Sequence, residues 1–138
     1  MNGPQQVHRP DAGIDEVFVY GTLKPGDVRW PLVERYVIDQ VRDATSGRLF
    51  DTGMGYPAAR FGSEGTITGW RLRLTPATLG AALAELDEIE GAVWGLYRRV
   101  AVTTASGEVA WAYEFGADPV GLTDLRGTWP EAGHEEQR

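Results

Sequence analysis

Val17-Phe18-Val19-Tyr20-Gly21-Thr22-Leu23 is the stretch on which the fold turns. β-branched and aromatic residues run unbroken for four positions and stop at Gly21, which reads as a buried strand. A strand that runs into a glycine-bearing bend exposes backbone N–H groups at its end, and such a bend can hold an anion such as a carboxylate. Gly21 would let a ligand approach the backbone closely. An ordinary strand-to-turn connection has the same look, so the bend alone leaves both readings open.

Working outward, Pro25-Gly26 marks a turn, and Leu32, Val33 and Tyr36 give a short helix over Trp30 to Val37. Three extended stretches follow, at Ala44 to Phe50, Pro57 to Phe61 and Thr66 to Leu74. In the last, Trp70, Leu72 and Leu74 alternate with Arg71 and Arg73, placing one face inside and one outside. Arg99 to Thr104 and Val109 to Phe115 form a hairpin around Ser106-Gly107. Leu122, Leu125 and Trp129 are spaced as a segment draped over the body. Many short strands and few helices predict an α+β chain, a small mixed β-barrel or sheet flanked by short helices, and not a βαβ sheet.

One helix is strongly signalled. Thr75 is placed to cap it, Pro76 suits its first position, and Gly91 suits its left-handed end. At 100° per residue, Leu83 lies about 40° from Leu79, Leu86 about 20° the other way, and Glu90 only about 20° from Leu79. Glu88 falls about 180° away, Asp87 is intermediate and Glu85 points mostly outward. Glu90 therefore continues the apolar stripe. Apolar neighbours and the negative end of the helix dipole both favour the protonated carboxyl, which suits a proton shuttle near neutral pH. The alternative is a Glu90 that turns to solvent at a frayed helix end, or pairs with Arg98 or Arg99.

The composition excludes other chemistries. The 138-residue chain is 42% apolar, 24% charged and carries a net charge of −7, with basic residues spread singly apart from Arg98-Arg99. A nucleic-acid binder would show a basic stripe, so neither nucleic acid nor an anionic membrane is expected as a partner. No run of eighteen apolar residues is present, and Met1 to Gly13 lacks the apolar stretch of a secretory signal. Cysteine is absent, which excludes thiol nucleophiles, disulfides and thiolate metal sites, and fits a cytoplasmic protein. The two histidines, His8 and His134, lie in polar terminal segments. Any general base must then be Asp, Glu, Tyr or Lys24, the single lysine. The organisation expected is a disordered tail over residues 1–14, one domain over 15–130 and a loose tail over 131–138.

Together, these motifs resemble the γ-glutamylcyclotransferase-like (AIG2-like) family. Val17 to Leu23 looks like its opening. Gly47-Arg48-Leu49-Phe50 and Gly55-Tyr56-Pro57-Ala58 resemble its middle strands, and Leu86-Asp87-x-x-Glu90-Gly91 its catalytic segment. Tyr97-x-Arg99-x-x-Val102, Ala110-Trp111-Ala112-Tyr113 and Gly127-x-Trp129 are similar to its closing elements. The resemblance covers Val17 to Trp129. It implies a small barrel with a ligand cavity at its mouth and Glu90 as the catalytic carboxylate. Tyr20, Gly21, Thr22 and Leu23 would contact the amino-acid end of a γ-glutamyl group, and Tyr97 would wall the cavity.

The implied reaction, intramolecular acyl transfer, cyclises a γ-glutamyl amine or amino acid to 5-oxoproline. It needs neither metal nor cofactor and asks for one small-molecule substrate, on a monomer or homodimer. Relatives also include γ-glutamyl-processing enzymes of biosynthetic pathways, and a non-catalytic binding module on the same fold is a third reading. Lys24 to Pro31 and Ala92 to Leu96 vary among such proteins and would border the ligand, leaving its identity open. Trp70, Trp94 and Trp111 read mainly as core, Arg99 as a salt-bridge partner or carboxylate holder, Asp87 as an N–H acceptor or outward charge, and Lys24 as a solvated surface lysine or one that reaches the cavity mouth.

Overall fold

A computed structural model describes residues 13–53, 55–91 and 97–129. His8, His134, Trp94 and most of both expected tails lie outside the described residues. Ile14, at the end of the expected first tail, is described and buried.

Strand β1 (Glu16–Val19) leads through a turn into helix α1 (Trp30–Val33), a 3-10 turn (Glu34–Tyr36) and strand β2 (Val37–Asp51). Strand β3 (Pro57–Leu74), a 3-10 turn (Pro76–Thr78), helix α2 (Leu79–Ile89) and strands β4 (Tyr97–Thr103), β5 (Val109–Phe115) and β6 (Thr123–Asp124) complete the order. The six strands form one sheet in the order β4-β5-β1-β3-β2-β6. The pairs are antiparallel except β1 with β5, where Val17 faces Trp111 in parallel. The far half of the β2–β3 hairpin curls back onto β4 and β5. Ala105 N donates to the Ala44 carbonyl at 2.8 Å, and Phe61 N donates to Glu114 Oε2 at 3.0 Å. The result is a nearly closed mixed barrel with two short helices.

β1 explains itself in this frame. All four of its residues are buried. Val17 and Val19 pack with Leu72, Leu74, Ala82 and Leu86 under α2, whereas Phe18 joins Leu49, Ile67 and Ala112 in a second core. A strand covered on both faces reads as a continuous apolar run. Gly69 of β3 is required by the same packing, since a Cβ there would lie 2.2 Å from the Val19 carbonyl oxygen.

Three expectations are corrected. Pro57 to Phe61 and Thr66 to Leu74 belong to one strand, whose register against β2 jumps between Ser46 and Gly47 so that residues 62–65 loop out. Gly62 and Gly65 there have φ of 86° and 100°, and this break made one strand read as two. Thr75 makes no cap: its hydroxyl donates to the Tyr36 carbonyl at 3.2 Å, and Pro76 opens a 3-10 turn ahead of α2. Lys24 is not solvated. It is 4% exposed and donates to the Trp129 carbonyl at 2.6 Å, because the segment carrying Leu125 and Trp129 folds back over the barrel and supplies an acceptor. Among the described residues no helix is long and apolar enough to cross a membrane.

Candidate active site

A cavity of about 110 Å³ opens where β1 ends. Phe18, Val19 and Tyr20 lead into it, and Gly21, Thr22 and Leu23 form one wall. Tyr56 and Pro57, at the start of β3, face that wall. Ile89, Glu90 and Gly91 bring in the end of α2, and Tyr97 and Tyr113 contribute from β4 and β5. Arg29, just ahead of α1, completes the lining. The six residues expected from sequence, Glu90, Tyr20, Gly21, Thr22, Leu23 and Tyr97, thus all meet at one cavity.

The bend is held from within. Lys24 N donates to the Gly21 carbonyl at 3.1 Å, Asp27 N to the Lys24 carbonyl at 2.9 Å, and Arg29 N to the Thr22 carbonyl at 2.8 Å. Among the described residues, the amides of Gly21, Thr22 and Leu23 make no such backbone bond. Gly21 is fixed by proximity, since a Cβ would meet Pro57 Cγ at 2.9 Å. The cavity wall therefore has no room for a side chain at that position.

The tyrosines are anchored. Tyr20 donates its hydroxyl to the Tyr113 carbonyl, and Tyr97 donates to the Pro57 carbonyl at 2.7 Å. Tyr113 donates to Asp87 Oδ1 at 2.6 Å. Burial first, and then the nearby Glu90 charge, push the Tyr20 and Tyr97 phenols upward, so both stay protonated.

Glu90 is the C-cap of α2, its amide bonded to the Leu86 carbonyl at 2.9 Å, and Gly91 follows with φ 75°. This is the left-handed ending that the sequence signals. The two arginines considered as partners for Glu90 are engaged elsewhere. Arg98 pairs with Glu114 at 2.9 Å, and Arg99 pairs with Asp87 at 2.9 Å while stacking over Trp111. Among the described residues the Glu90 carboxyl has no hydrogen-bond or ion-pair partner. The residue is partly exposed because it borders an open cavity, yet protein surrounds its carboxyl closely. Burial raises its pKa from 4.5 to about 7, against an opposing pull from the Arg29 charge. A carboxyl poised in this way can take up or release a proton near neutral pH.

Asp87, one turn before Glu90, is an N–H acceptor and not an outward charge. It accepts from Arg99 and from the Tyr113 hydroxyl, and so ties the end of α2 to β4 and β5. Trp70 and Trp111 are half-buried against the first core, stacked by Arg42 and Arg99 respectively, and line none of this cavity. Arg29 lies in the Lys24 to Pro31 stretch expected to border the ligand, whereas the sequence motifs do not single out Ile89 or Tyr113 as cavity residues. Ile89 had a signal, since it adjoins Glu90 in the same helical turn.

The sequence profile of the family described as "Gamma-glutamyl cyclotransferase, AIG2-like" matches residues 17–131, a span that contains every residue of the cavity wall. The chain belongs to this family. An AIG2-like protein from Mus musculus superposes with a TM-score of 0.70 at 20% identity, over 88% of this chain and 92% of that one. An uncharacterised protein from Pyrococcus horikoshii gives 0.64 at 25% identity, over 88% and 95%. An Arabidopsis thaliana protein gives 0.62 at 25% identity, over 88% and 75%. A comparison with proteins of curated function found no match.

Proposed function

We propose that this γ-glutamylcyclotransferase-like protein converts a small γ-glutamyl amine or γ-glutamyl amino acid into 5-oxoproline and a free amine, with Glu90 carrying the protons. The observation behind this reading is the juxtaposition of an uncompensated carboxyl, with a pKa of about 7, and the Gly21–Leu23 amides in one small cavity.

The chemistry asks little more of the protein. The substrate's own α-amino nitrogen attacks its γ-carbonyl carbon and closes a five-membered ring. The ring C–N bond forms and the amide C–N bond breaks. The two protons lost by the α-ammonium match the two gained by the leaving nitrogen as it departs as an ammonium. Ionised Glu90 accepts from the first and, once protonated, donates to the second. The cavity's main contribution is the folded conformer, because intramolecular geometry removes much of the entropic barrier. Amides at Gly21 to Leu23 would hold the substrate carboxylate. A chain with no cysteine, and with histidine confined to its terminal segments, suits a reaction whose nucleophile belongs to the substrate.

The test is a panel of γ-glutamyl amines and dipeptides assayed for 5-oxoproline. Release of 5-oxoproline with the matching amine is the expected result. Release of glutamate instead would mark a hydrolase, and saturable binding without turnover would mark a binding module.

A further inference from the structure

The cavity contains a cation for which the reaction outlined above has no use. Arg29 is the only basic residue among the described residues that line it. Its amide is bonded to the Thr22 carbonyl, so its backbone is pinned beside the bend. Its charge acts on Glu90 and on Tyr97, on the opposite elements α2 and β4. Among the described residues its guanidinium has no hydrogen-bond or ion-pair partner. By contrast, Arg35, Arg48, Arg71, Arg98 and Arg99 all lie against carboxylates. Even Glu90, in the same cavity, does not close onto it.

A partly exposed guanidinium inside a cavity, held by its backbone and left without an anion, is a carboxylate receptor. Its planar fork of donors matches the two oxygens of a carboxylate. We propose that Arg29 binds a carboxylate of the substrate and thereby orients the γ-glutamyl compound against Glu90. This rests on the γ-glutamyl reading above and deepens it. Two carboxylates are candidates. Every γ-glutamyl compound carries one on its α-carbon, and a γ-glutamyl amino acid carries a second on its leaving group. An Arg29 that holds the second would make the protein selective for γ-glutamyl amino acids over γ-glutamyl amines.

Three probes separate these cases. γ-Glutamyl-alanine and γ-glutamyl-ethylamine differ only in the leaving group's carboxylate, and 4-aminobutanoyl-ethylamine lacks both carboxylates. Their affinities are measured by calorimetry on Glu90→Gln protein, which prevents turnover, with and without Arg29→Met or Arg29→Lys. Arg29→Met should weaken a carboxylate-bearing probe about ten- to a hundredfold, the scale of a charge-assisted hydrogen-bonded pair. The carboxylate-free probe should change by less than about threefold, and Arg29→Lys should recover part of the loss, since it keeps the charge without the fork.

A loss confined to γ-glutamyl-alanine assigns Arg29 to the leaving group, and a loss on both γ-glutamyl probes assigns it to the α-carboxylate. Equal losses on all three probes, or no loss on any, overturn the proposal for Arg29 even where 5-oxoproline is still released. Binding of none of the three overturns the γ-glutamyl reading and this proposal with it.

Discussion

Asp43 and Glu90 are both carboxylates drawn into the body of the barrel, and they differ in what surrounds them. On β2, Asp43 accepts from Arg71 Nε at 2.9 Å, from the Ser106 hydroxyl at 2.6 Å and from the Ala44 amide at 2.8 Å. Arg71 also holds Glu16 of β1 at 2.9 Å. Burial alone would raise Asp43, but hydrogen bonds from Ser106, Arg71, Thr104 and the Ala44 amide hold it far below the usual carboxylate range. Glu90, among Ile89, Pro57 and the cavity tyrosines, has no such donors among the described residues and is pushed up to about 7. A buried charge with its partners in place ties strands together. One without them keeps a mobile proton, and such groups concentrate at functional sites.

The contrast is tested first by removing each centre. Glu90→Gln should lower 5-oxoproline release about a thousandfold, the middle of the range for a lost general acid–base group. Its circular dichroism should be unchanged. Arg71→Met should instead unfold the protein more readily, by about 2 to 4 kcal/mol in urea at pH 7, because Asp43 is left buried without its cation and Glu16 keeps only Arg73, at 3.6 Å.

The two sites should also respond to pH with opposite signs. Asp43's depressed pKa contributes stability above the ordinary carboxylate range, and that stability is lost as pH falls. The deficit of Arg71→Met should therefore shrink below about pH 4. Glu90's raised pKa means that the native state holds its proton more tightly than the unfolded chain does. That contribution is full below 4.5 and is lost as pH rises through about 7. Between pH 4.5 and pH 8, the stability of Glu90→Gln relative to wild type should improve by about 2 to 3 kcal/mol. A pH-independent difference in urea midpoints would place the carboxyl in water.

The smallest effect concerns the link between the two kinds of site. Tyr113→Phe removes the hydroxyl that holds Asp87, one turn before Glu90, and should cost about 1 kcal/mol of stability. If Asp87 also positions the end of α2, turnover should fall several-fold without a matching rise in KM.

The sequence reveals parts of this arrangement unequally. The continuous run at Val17 to Val19 reports a strand covered on both faces, and the 100° step places Glu90 beside Leu79 and Leu86, because burial acts on side chains and leaves a period. Residues 62–65 break that period, so one strand reads as two. Arg29 is positioned by its amide bonding to the Thr22 carbonyl, and Lys24 by the Trp129 carbonyl, backbone partners that no side-chain pattern encodes. Asp87 looked ambiguous because its partners, Arg99 and Tyr113, come from strands folded beside it from later in the chain.

Glu90 acting as an uncompensated proton carrier is tested most directly by the pH dependence of kcat/KM for 5-oxoproline release, which reports groups of the free protein. From pH 5 to pH 9 on one γ-glutamyl substrate, kcat/KM should rise with a midpoint near 7 as Glu90 ionises. A profile flat from pH 6 to pH 8, or no 5-oxoproline at any pH, would contradict that role.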